Sequence, residues 1–103
     1  MRVISPRKLR EFCRKHPDAV APLDAWLKFI RNGNFRSPDD LRKTFNTVDV
    51  VPIRRPNKTI DYYVFNIGGN KYRLIAAIHF NTQLLYLRDI LTHQEYDVGK
   101  WKK

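Results

Sequence analysis

The chain of 103 residues has only one cysteine and no long apolar run. Cys13 cannot form an internal disulfide, and it leaves too few thiolates for a cysteine-rich zinc site. No apolar stretch approaches the length of a membrane-spanning helix, and residues 1–4 are too few for the apolar region of a signal peptide. The length predicts one domain over residues 1–103, and these absences predict no membrane partner and the reducing cytoplasm.

Acidic residues are scarce relative to basic ones. Ten Asp and Glu face twenty Lys and Arg, which gives a formal net charge of +10. Both signs are spread along the chain, so the excess belongs to a folded surface and not to a basic tail. Such a field favours a polyanionic partner, for which nucleic acid or the ribosome is the candidate. The alternative interpretation is a basic protein that its charge keeps soluble.

The first half of the sequence has the pattern of a short strand followed by helices. A strand is predicted over residues 1–4, and Ser5-Pro6 predicts the N-cap and first position of a helix. A second helix is predicted over about 18–32, with Gly33 placed to end it. Ser37-Pro38 repeats the start signal and predicts one or two further helical turns.

After residue 46 the apolar period changes to two, which is typical of strands. Strands are predicted over 48–53, 61–67, 71–80 and 83–92, joined by a basic turn at 54–58 and by tight turns at 68–70 and 81–82. The predicted class is α+β, with two N-terminal helices on one face of a largely antiparallel sheet. The other face stays at least partly open, and an open sheet face on a basic protein is a surface for RNA.

Alternation along the two central strands assigns side chains to faces. A two-residue turn in the 68–70 region pairs odd positions with even ones, so Phe65 shares the core face with Tyr72 or Leu74. Asn66 then shares the open face with Lys71 or Arg73, which brings an amide and two cations together. For Arg73 alone, an ordinary solvated arginine on a strand is the competing interpretation.

Two motifs together give the chain a specific resemblance. They are Tyr63-Val-Phe-Asn-Ile-Gly-Gly-Asn-Lys-Tyr-Arg-Leu-Ile75 and Thr92-His-Gln-Glu-Tyr-Asp97, with Tyr86-Leu-Arg88 between them. They resemble the HigB-type toxins of bacterial type II toxin–antitoxin modules, which belong to the RelE superfamily. Arg2-Val-Ile-Ser5, His16-Pro-Asp18, Trp26 and Ser37-Pro38 are also similar, so the resemblance covers nearly the whole chain. The segment 50–61 is longer and more basic than the resemblance leads us to expect before the Val-Phe-Asn strand.

The resemblance implies a RelE-like fold, ribosome-dependent cleavage of mRNA and neutralisation by a HigA-like antitoxin with a helix-turn-helix. It implies that Arg73 lies beside the scissile phosphate, that His93 supplies a basic group after the last strand, and that Tyr96 is the C-terminal aromatic of the site. Some relatives have lysines where this chain has Val64 and Asn66. A base role of those lysines must therefore move elsewhere, and His93 is the candidate.

These residue types suit cleavage of RNA by its own 2′-hydroxyl, which requires no metal or cofactor. His93 can accept or donate a proton near neutral pH. Arg73 can hold two phosphate oxygens and stabilise the charge of the transition state. Tyr96 can stack on a base or donate a proton. A metal site built from the histidines and nearby acids is not predicted, because those residues lack an obvious shared face.

A secondary set supports these three residues. Lys71 adds a positive charge and Asn66 an amide, while Glu95 and Asp97 can orient His93 or accept a proton. Arg88 has the opposite parity to His93, so the two cannot share a face unless the strand bulges or ends. We expect the strand to end near Thr92, which frees His93 to turn toward Arg73.

The other basic candidates are predicted to bind RNA or the ribosome. They are Arg54, Arg55, Lys58, Lys100, Lys102 and Lys103, with Trp101 extending the C-terminal surface. Arg88 is either a further phosphate contact or a structural arginine paired with an acid such as Asp89. For the C-terminal residues, a frayed basic end is the competing interpretation.

Two functions remain open at this point. The first is a toxin that cuts ribosome-bound mRNA. The second is a non-catalytic basic RNA- or DNA-binding module, or an inactive descendant of a toxin. The second explains the charge and the aromatic residues equally well, but it does not require proton-handling groups beside Arg73.

Overall fold

The structure is a computed structural model that describes residues 1–102, so the predicted role of Lys103 lies outside the described residues. The helices are α1 (Arg7–Lys15), α2 (Val20–Asn32), α3 (Pro38–Thr44) and α4 (His93–Val98), with short 3-10 turns at Pro17–Ala19 and Lys100–Lys102. The strands are β1 (Arg2–Ile4), β2 (Asp49–Arg55), β3 (Lys58–Ile67), β4 (Tyr72–His79) and β5 (Leu84–Thr92). They form one sheet in the order β1-β5-β4-β3-β2, in which only β1 and β5 pair in parallel. The α+β class and the largely antiparallel sheet are confirmed.

The helix starts follow the predicted signals in part. Ser37 caps α3, because its hydroxyl accepts a hydrogen bond of 3.2 Å from the backbone N–H of Asp40. The prediction that Ser5 caps α1 is wrong, because Pro6 occupies that position and makes no side-chain cap. Ser5 has a φ of 64° where the chain turns from β1 into the helix, so its backbone is used for the turn.

The helical layer lies against one face of the sheet. Trp26 and Ile30 of α2 share a buried cluster with Leu9 of α1 and with Phe65 and Leu74 of the central strands. The rings of Trp26 and Phe65 meet edge to face at 5.5 Å. Trp26 is therefore a core residue, as its position on the apolar stripe of the helix indicates.

The two central strands have the predicted pairing of faces. Asn66 lies opposite Arg73 and Phe65 opposite Leu74. The connection is the four-residue segment 68–71 and not a two-residue turn, but both lengths pair odd positions with even ones. Gly68 and Gly69 have φ values of 63° and 68°, a left-handed backbone that glycine adopts without strain.

The basic segment 54–58 is mostly strand, so its assignment to a turn is wrong. Arg54 pairs with Thr59, and Arg55 pairs with Lys58, which continues the β2–β3 hairpin to its tip. Only residues 56–57 form the turn. The three cations therefore lie on a two-stranded ribbon.

A bulge in β5 changes the parity of its side chains. Ala76 pairs with Leu87 and Ile75 with Asp89, so Arg88 is the extra residue between them. The guanidinium carbon of Arg88 lies 4.6 Å from the ring centre of Tyr62, on the face away from the helices. The strand then ends at Thr92. The strand both bulges and ends before His93, and either feature allows Arg88 and His93 to share a face.

The face away from the helices is less open than predicted, because the C-terminal segment packs on it. Trp101 is buried in a second cluster with Ile53, Tyr62, Val64 and Ile75. The short helix α4, which the sequence analysis did not predict, brings the chain back over the sheet. The prediction that Trp101 extends the binding surface is wrong, because its ring fills this second core.

We expect Trp101→Ala to lower the free energy of unfolding by about 3 kcal/mol, since it removes a buried aromatic side chain. Urea unfolding followed by circular dichroism measures the change. Trp101→Phe is the matched control, because it keeps an aromatic ring but loses the 3.3 Å hydrogen bond from the indole Nε1 to the carbonyl of Tyr96. Equal midpoints for wild type and Trp101→Ala would contradict this second core.

Asp18 ties the helical layer to β4 and makes stability depend on pH. Its carboxylate accepts hydrogen bonds from the Tyr72 hydroxyl at 2.6 Å and from the Lys71 ammonium at 3.2 Å. The bond from Tyr72 is the main cause that lowers the pKa of Asp18, followed by Lys71. A lowered pKa means that the carboxylate stabilises the fold above the ordinary aspartate pKa near 4, and that this contribution is lost as the pH falls.

We therefore expect Asp18→Asn to lower the melting temperature at pH 7, and the difference from wild type to shrink below about pH 4. Thermal unfolding over a pH series tests this expectation. Asp39→Asn is the control, because Asp39 makes only an exposed contact of 3.4 Å with Arg42 in its own helix. A difference that stays constant down to pH 3 would show that Asp18 does not act through its charge.

Candidate active site

Arg73 is fixed by its own hairpin. Its side chain projects from β4 on the face away from the helices and is only 8% exposed. Nη1 donates to the carbonyl oxygens of Asn70 and Tyr72 at 3.2 Å each, and Nη2 donates to Oδ1 of Asn70 at 2.6 Å. These bonds use only part of the N–H donors of a guanidinium. A guanidinium held in this way can bind a phosphate oxygen through its remaining donors.

The side chain of Asn70 contacts Arg73, and the sequence alone did not predict this contact. The Gly68-Gly69-Asn70 sequence predicts only a tight turn. In the structure, the amide oxygen of Asn70 holds the guanidinium of Arg73 through a short charge-assisted hydrogen bond. The spacing of three residues between the two was the only available signal.

Tyr96 contacts both the arginine and the C-terminal tryptophan. The guanidinium carbon of Arg73 lies 5.7 Å from its ring centre, and Trp101 stacks on it at 5.3 Å with 16° between the planes. Burial is the main cause that raises the pKa of the Tyr96 hydroxyl; Asp49 and Asp97 raise it further, and Arg73 opposes them. The hydroxyl therefore keeps its proton at neutral pH. Its ring is already packed by protein side chains, which disfavours stacking on a base.

His93 is the first residue of α4, directly after β5 ends. Its backbone N–H donates to the carbonyl oxygen of Lys71 at 3.0 Å, which attaches the helix start to the hairpin loop that holds Arg73. Its Nδ1 lies 3.3 Å from Oδ2 of Asp97, one helical turn later. A carboxylate at Nδ1 favours a proton on that nitrogen, so a neutral ring presents Nε2 as the acceptor.

The two acids predicted to assist His93, Glu95 and Asp97, make different contacts. Oε1 of Glu95 accepts from the backbone N–H of Thr92 at 2.9 Å, and Oγ1 of Thr92 accepts from the N–H of Glu95 at 3.2 Å. This reciprocal pair is a capping box that starts α4. Glu95 thus shapes the helix, and Asp97 is the acid that contacts the imidazole.

Of the secondary candidates, Asn66 and Lys71 lie on different faces of the sheet. Asn66 is exposed and lies directly opposite Arg73. Lys71 is outside the strand, and its ammonium pairs with Asp18 at 3.2 Å. The prediction that Asn66, Lys71 and Arg73 lie together is therefore wrong for Lys71. Its ammonium is held by Asp18, an acid of the helical layer.

Of the two roles predicted for Arg88, the structure contains the ion pair. Nε of Arg88 lies 3.8 Å from Oδ2 of Asp89, and its guanidinium covers the ring of Tyr62. Arg54, Arg55 and Lys58 lie at the tip of the β2–β3 ribbon, and Lys100 and Lys102 flank the buried Trp101. Within residues 1–102, no group of three or more His, Cys, Asp or Glu is arranged to hold a metal ion, and no helix is long and apolar enough to span a bilayer.

Comparison with known proteins places the chain in a class. Residues 19–99 match the HigB toxin family, described as the RelE-like toxic component of a toxin–antitoxin system. The match spans most of the chain, and the protein therefore belongs to this family. The resemblance inferred from its two motifs is confirmed.

Several curated relatives carry names that state an activity. The mRNA interferase toxin HigB of Escherichia coli K12 is 35% identical over 98 residues, which cover 94% of this chain and 88% of the relative. The mRNA interferase HigB of Shigella flexneri has the same identity and coverage. The mRNA interferase HigB of Escherichia coli CFT073 is 33% identical over 97 residues, which cover 94% of this chain and 89% of the relative.

We expect Asn70→Ala to weaken toxicity strongly while the fold persists, since a misplacement of a catalytic group by about 1 Å costs on the order of 100-fold in rate. Growth inhibition after induced expression measures the effect, and circular dichroism verifies folding. Asn57→Ala is the matched control, because Asn57 lies in the other hairpin turn, between β2 and β3. If both variants are as toxic as wild type, Asn70 does not position Arg73 for function.

Proposed function

We propose that this protein is the toxin of a type II toxin–antitoxin system and a ribosome-dependent mRNA endoribonuclease. The names of the curated relatives support mRNA as the substrate. The observation that carries the proposal is the junction of the Arg73 hairpin with the His93–Asp97 pair at the start of α4. An anion-binding group and a group able to transfer protons are thereby attached to one loop.

The proposed reaction is attack of a ribose 2′-oxygen on the adjacent phosphorus. The new bond forms a 2′,3′-cyclic phosphate, and the bond from phosphorus to the 5′-oxygen of the next nucleotide breaks. His93 accepts the proton of the 2′-hydroxyl at Nε2, with Asp97 stabilising the imidazolium that results. The Tyr96 hydroxyl donates a proton to the departing 5′-oxygen.

Arg73 stabilises the negative charge that builds on the phosphate oxygens. Its guanidinium is held before the substrate arrives, so little reorganisation is needed during the reaction. Asn66 is exposed beside it and offers an amide to the sugar–phosphate backbone. The reaction needs no metal in this scheme.

The arrangement around this centre is proposed to be RelE-like, with the helical layer behind the sheet and RNA on the other side. The cations of the β2–β3 ribbon, together with Arg88, Lys100 and Lys102, contact mRNA or ribosomal RNA through phosphates. The proposed setting is the cytoplasm. A HigA-like antitoxin with a helix-turn-helix is the proposed inhibitory partner.

A non-catalytic RNA-binding module is the second candidate. The 8% exposure of the Arg73 residue favours it, because a phosphate meets little of a side chain that is this deeply buried. The two functions differ in what His93→Gln does. A nuclease loses cleavage and keeps its affinity for RNA, whereas a binding module shows no cleavage in either form.

The test is to map new 5′ ends of mRNA in a bacterial translation extract, with translation active or blocked. We expect wild type to produce new ends only during translation, and Arg73→Ala to reduce them by about 100-fold or more, since it removes a donor that stabilises the transition state. Arg31→Ala is the matched control, because Arg31 is an exposed arginine in the last turn of α2, in the helical layer.

The outcomes separate the candidates. Ends that appear with translation blocked would remove the ribosome from the proposal. Full activity of folded Arg73→Ala would show that the assigned site is wrong. The absence of new ends with folded wild-type protein would favour the binding module.

A further inference from the structure

A cleft opens where the β2–β3 and β4–β5 hairpins separate. Strands β3 and β4 pair only as far as Tyr62 and Ala77. Beyond that point β3 continues with β2 to Lys58, while β4 continues with β5 to His79. The resulting cleft has a volume of about 580 Å³.

The cleft adjoins the face that carries Arg73. Alternation along β4 places Arg73, Ile75, Ala77 and His79 on one side, and Tyr86 lies opposite Ala77 on β5. At about 3.3 Å per residue, Ala77 is about 13 Å from Arg73 along the strand. Ile75, between them on the same side, is buried in the cluster that contains Trp101, so RNA that reaches both the candidate active site and this cleft passes over the C-terminal segment.

Aromatic and basic groups line the cleft. Tyr86 is 40% exposed, and His79 meets its ring edge to face at 5.2 Å. The ring of Trp101 meets that of Tyr62, with the ring centres 6.4 Å apart, at the side of the cleft that faces the second core. Lys58 lines the cleft from the ribbon side. An exposed aromatic ring beside cations is the combination with which proteins bind unpaired nucleotides.

The carboxylate of Asp61, which also lines the cleft, indicates which part of a nucleotide enters. A carboxylate disfavours a phosphate nearby, but it can accept hydrogen bonds from the amino groups of a base. A base in the cleft and the backbone passing the basic ribbon satisfy both groups.

We propose that Tyr86 and His79 form a stacking site for an unpaired base of the mRNA, separate from the groups that act on the scissile phosphate. This inference rests on the proposed function and extends it to the recognition of a neighbouring nucleotide. The occupant is RNA and not a protein segment, because the ribbon beside the cleft carries Arg54, Arg55 and Lys58 and no acid between them.

The affinity of purified protein for a labelled single-stranded 2′-O-methyl RNA tests the proposal, since this probe has no free 2′-hydroxyl and is not cleaved. Fluorescence anisotropy is measured at constant low salt, because nucleic-acid affinity depends on salt. We expect Tyr86→Ala to bind about tenfold more weakly, the effect of losing one stacked base. Tyr86→Phe keeps the ring and should bind as wild type does.

Two further variants separate stacking from folding. Tyr86→Leu keeps an apolar side chain without an aromatic ring, and should weaken binding as Tyr86→Ala does while unfolding at the wild-type temperature. Phe29→Ala is the matched control, because Phe29 is 58% exposed on α2 in the helical layer. It should leave the affinity for RNA unchanged.

Affinities of Tyr86→Ala and Tyr86→Leu equal to wild type would overturn the stacking site. The stacking site would also be overturned if these variants kept their affinity for RNA but lost binding to the antitoxin. That result would assign the cleft to the antitoxin. If wild type cleaves mRNA and both variants bind RNA normally, only this inference fails. If RNA binding depends on Tyr86 but wild type never cleaves, the proposed nuclease fails and the stacking site stands.

Discussion

The loop between β3 and β4 is the constraint on which the candidate site depends. Its Asn70 bonds to the guanidinium of Arg73, and the backbone carbonyl of Lys71 accepts the N–H of His93. The ammonium of Lys71 bonds in turn to Asp18 beside the helical layer. Two residues of this loop, Asn70 and Lys71, thus contact the arginine, the start of α4 and the helical layer.

The sheet is covered on both sides, although not to the same extent. The N-terminal helices bury one face, and α4 with Trp101 buries the central part of the other. This second core holds Tyr96 against Arg73, but it also leaves Arg73 only slightly exposed. The parts of this face that stay uncovered include the side chains of His93 and Asp97 on α4 and the ring of Tyr86 on β5.

Short-range signals in the sequence were interpreted correctly where a single local rule decided the outcome. The parity of the β3–β4 connection placed Asn66 opposite Arg73 even though the loop length was wrong, because two and four residues preserve the same parity. The Thr92–Glu95 spacing is a helix-start signal that was present in the sequence but was overlooked beside the charged residues around it. The Arg88 bulge has no comparable local signal, because it depends on the register between two strands.

The sequence by itself determined the α+β class, the basic character of the surface, the family and the faces of the central strands. Each of these follows from composition, from residue periods of 3.6 and 2, or from motifs whose residues are close together in the chain. Only the tertiary structure decided that Asp97 and not Glu95 contacts His93, that Lys71 pairs with Asp18, and that Trp101 is buried. Most of these outcomes depend on packing between residues far apart in the chain, and that packing decides which of several available partners each side chain meets.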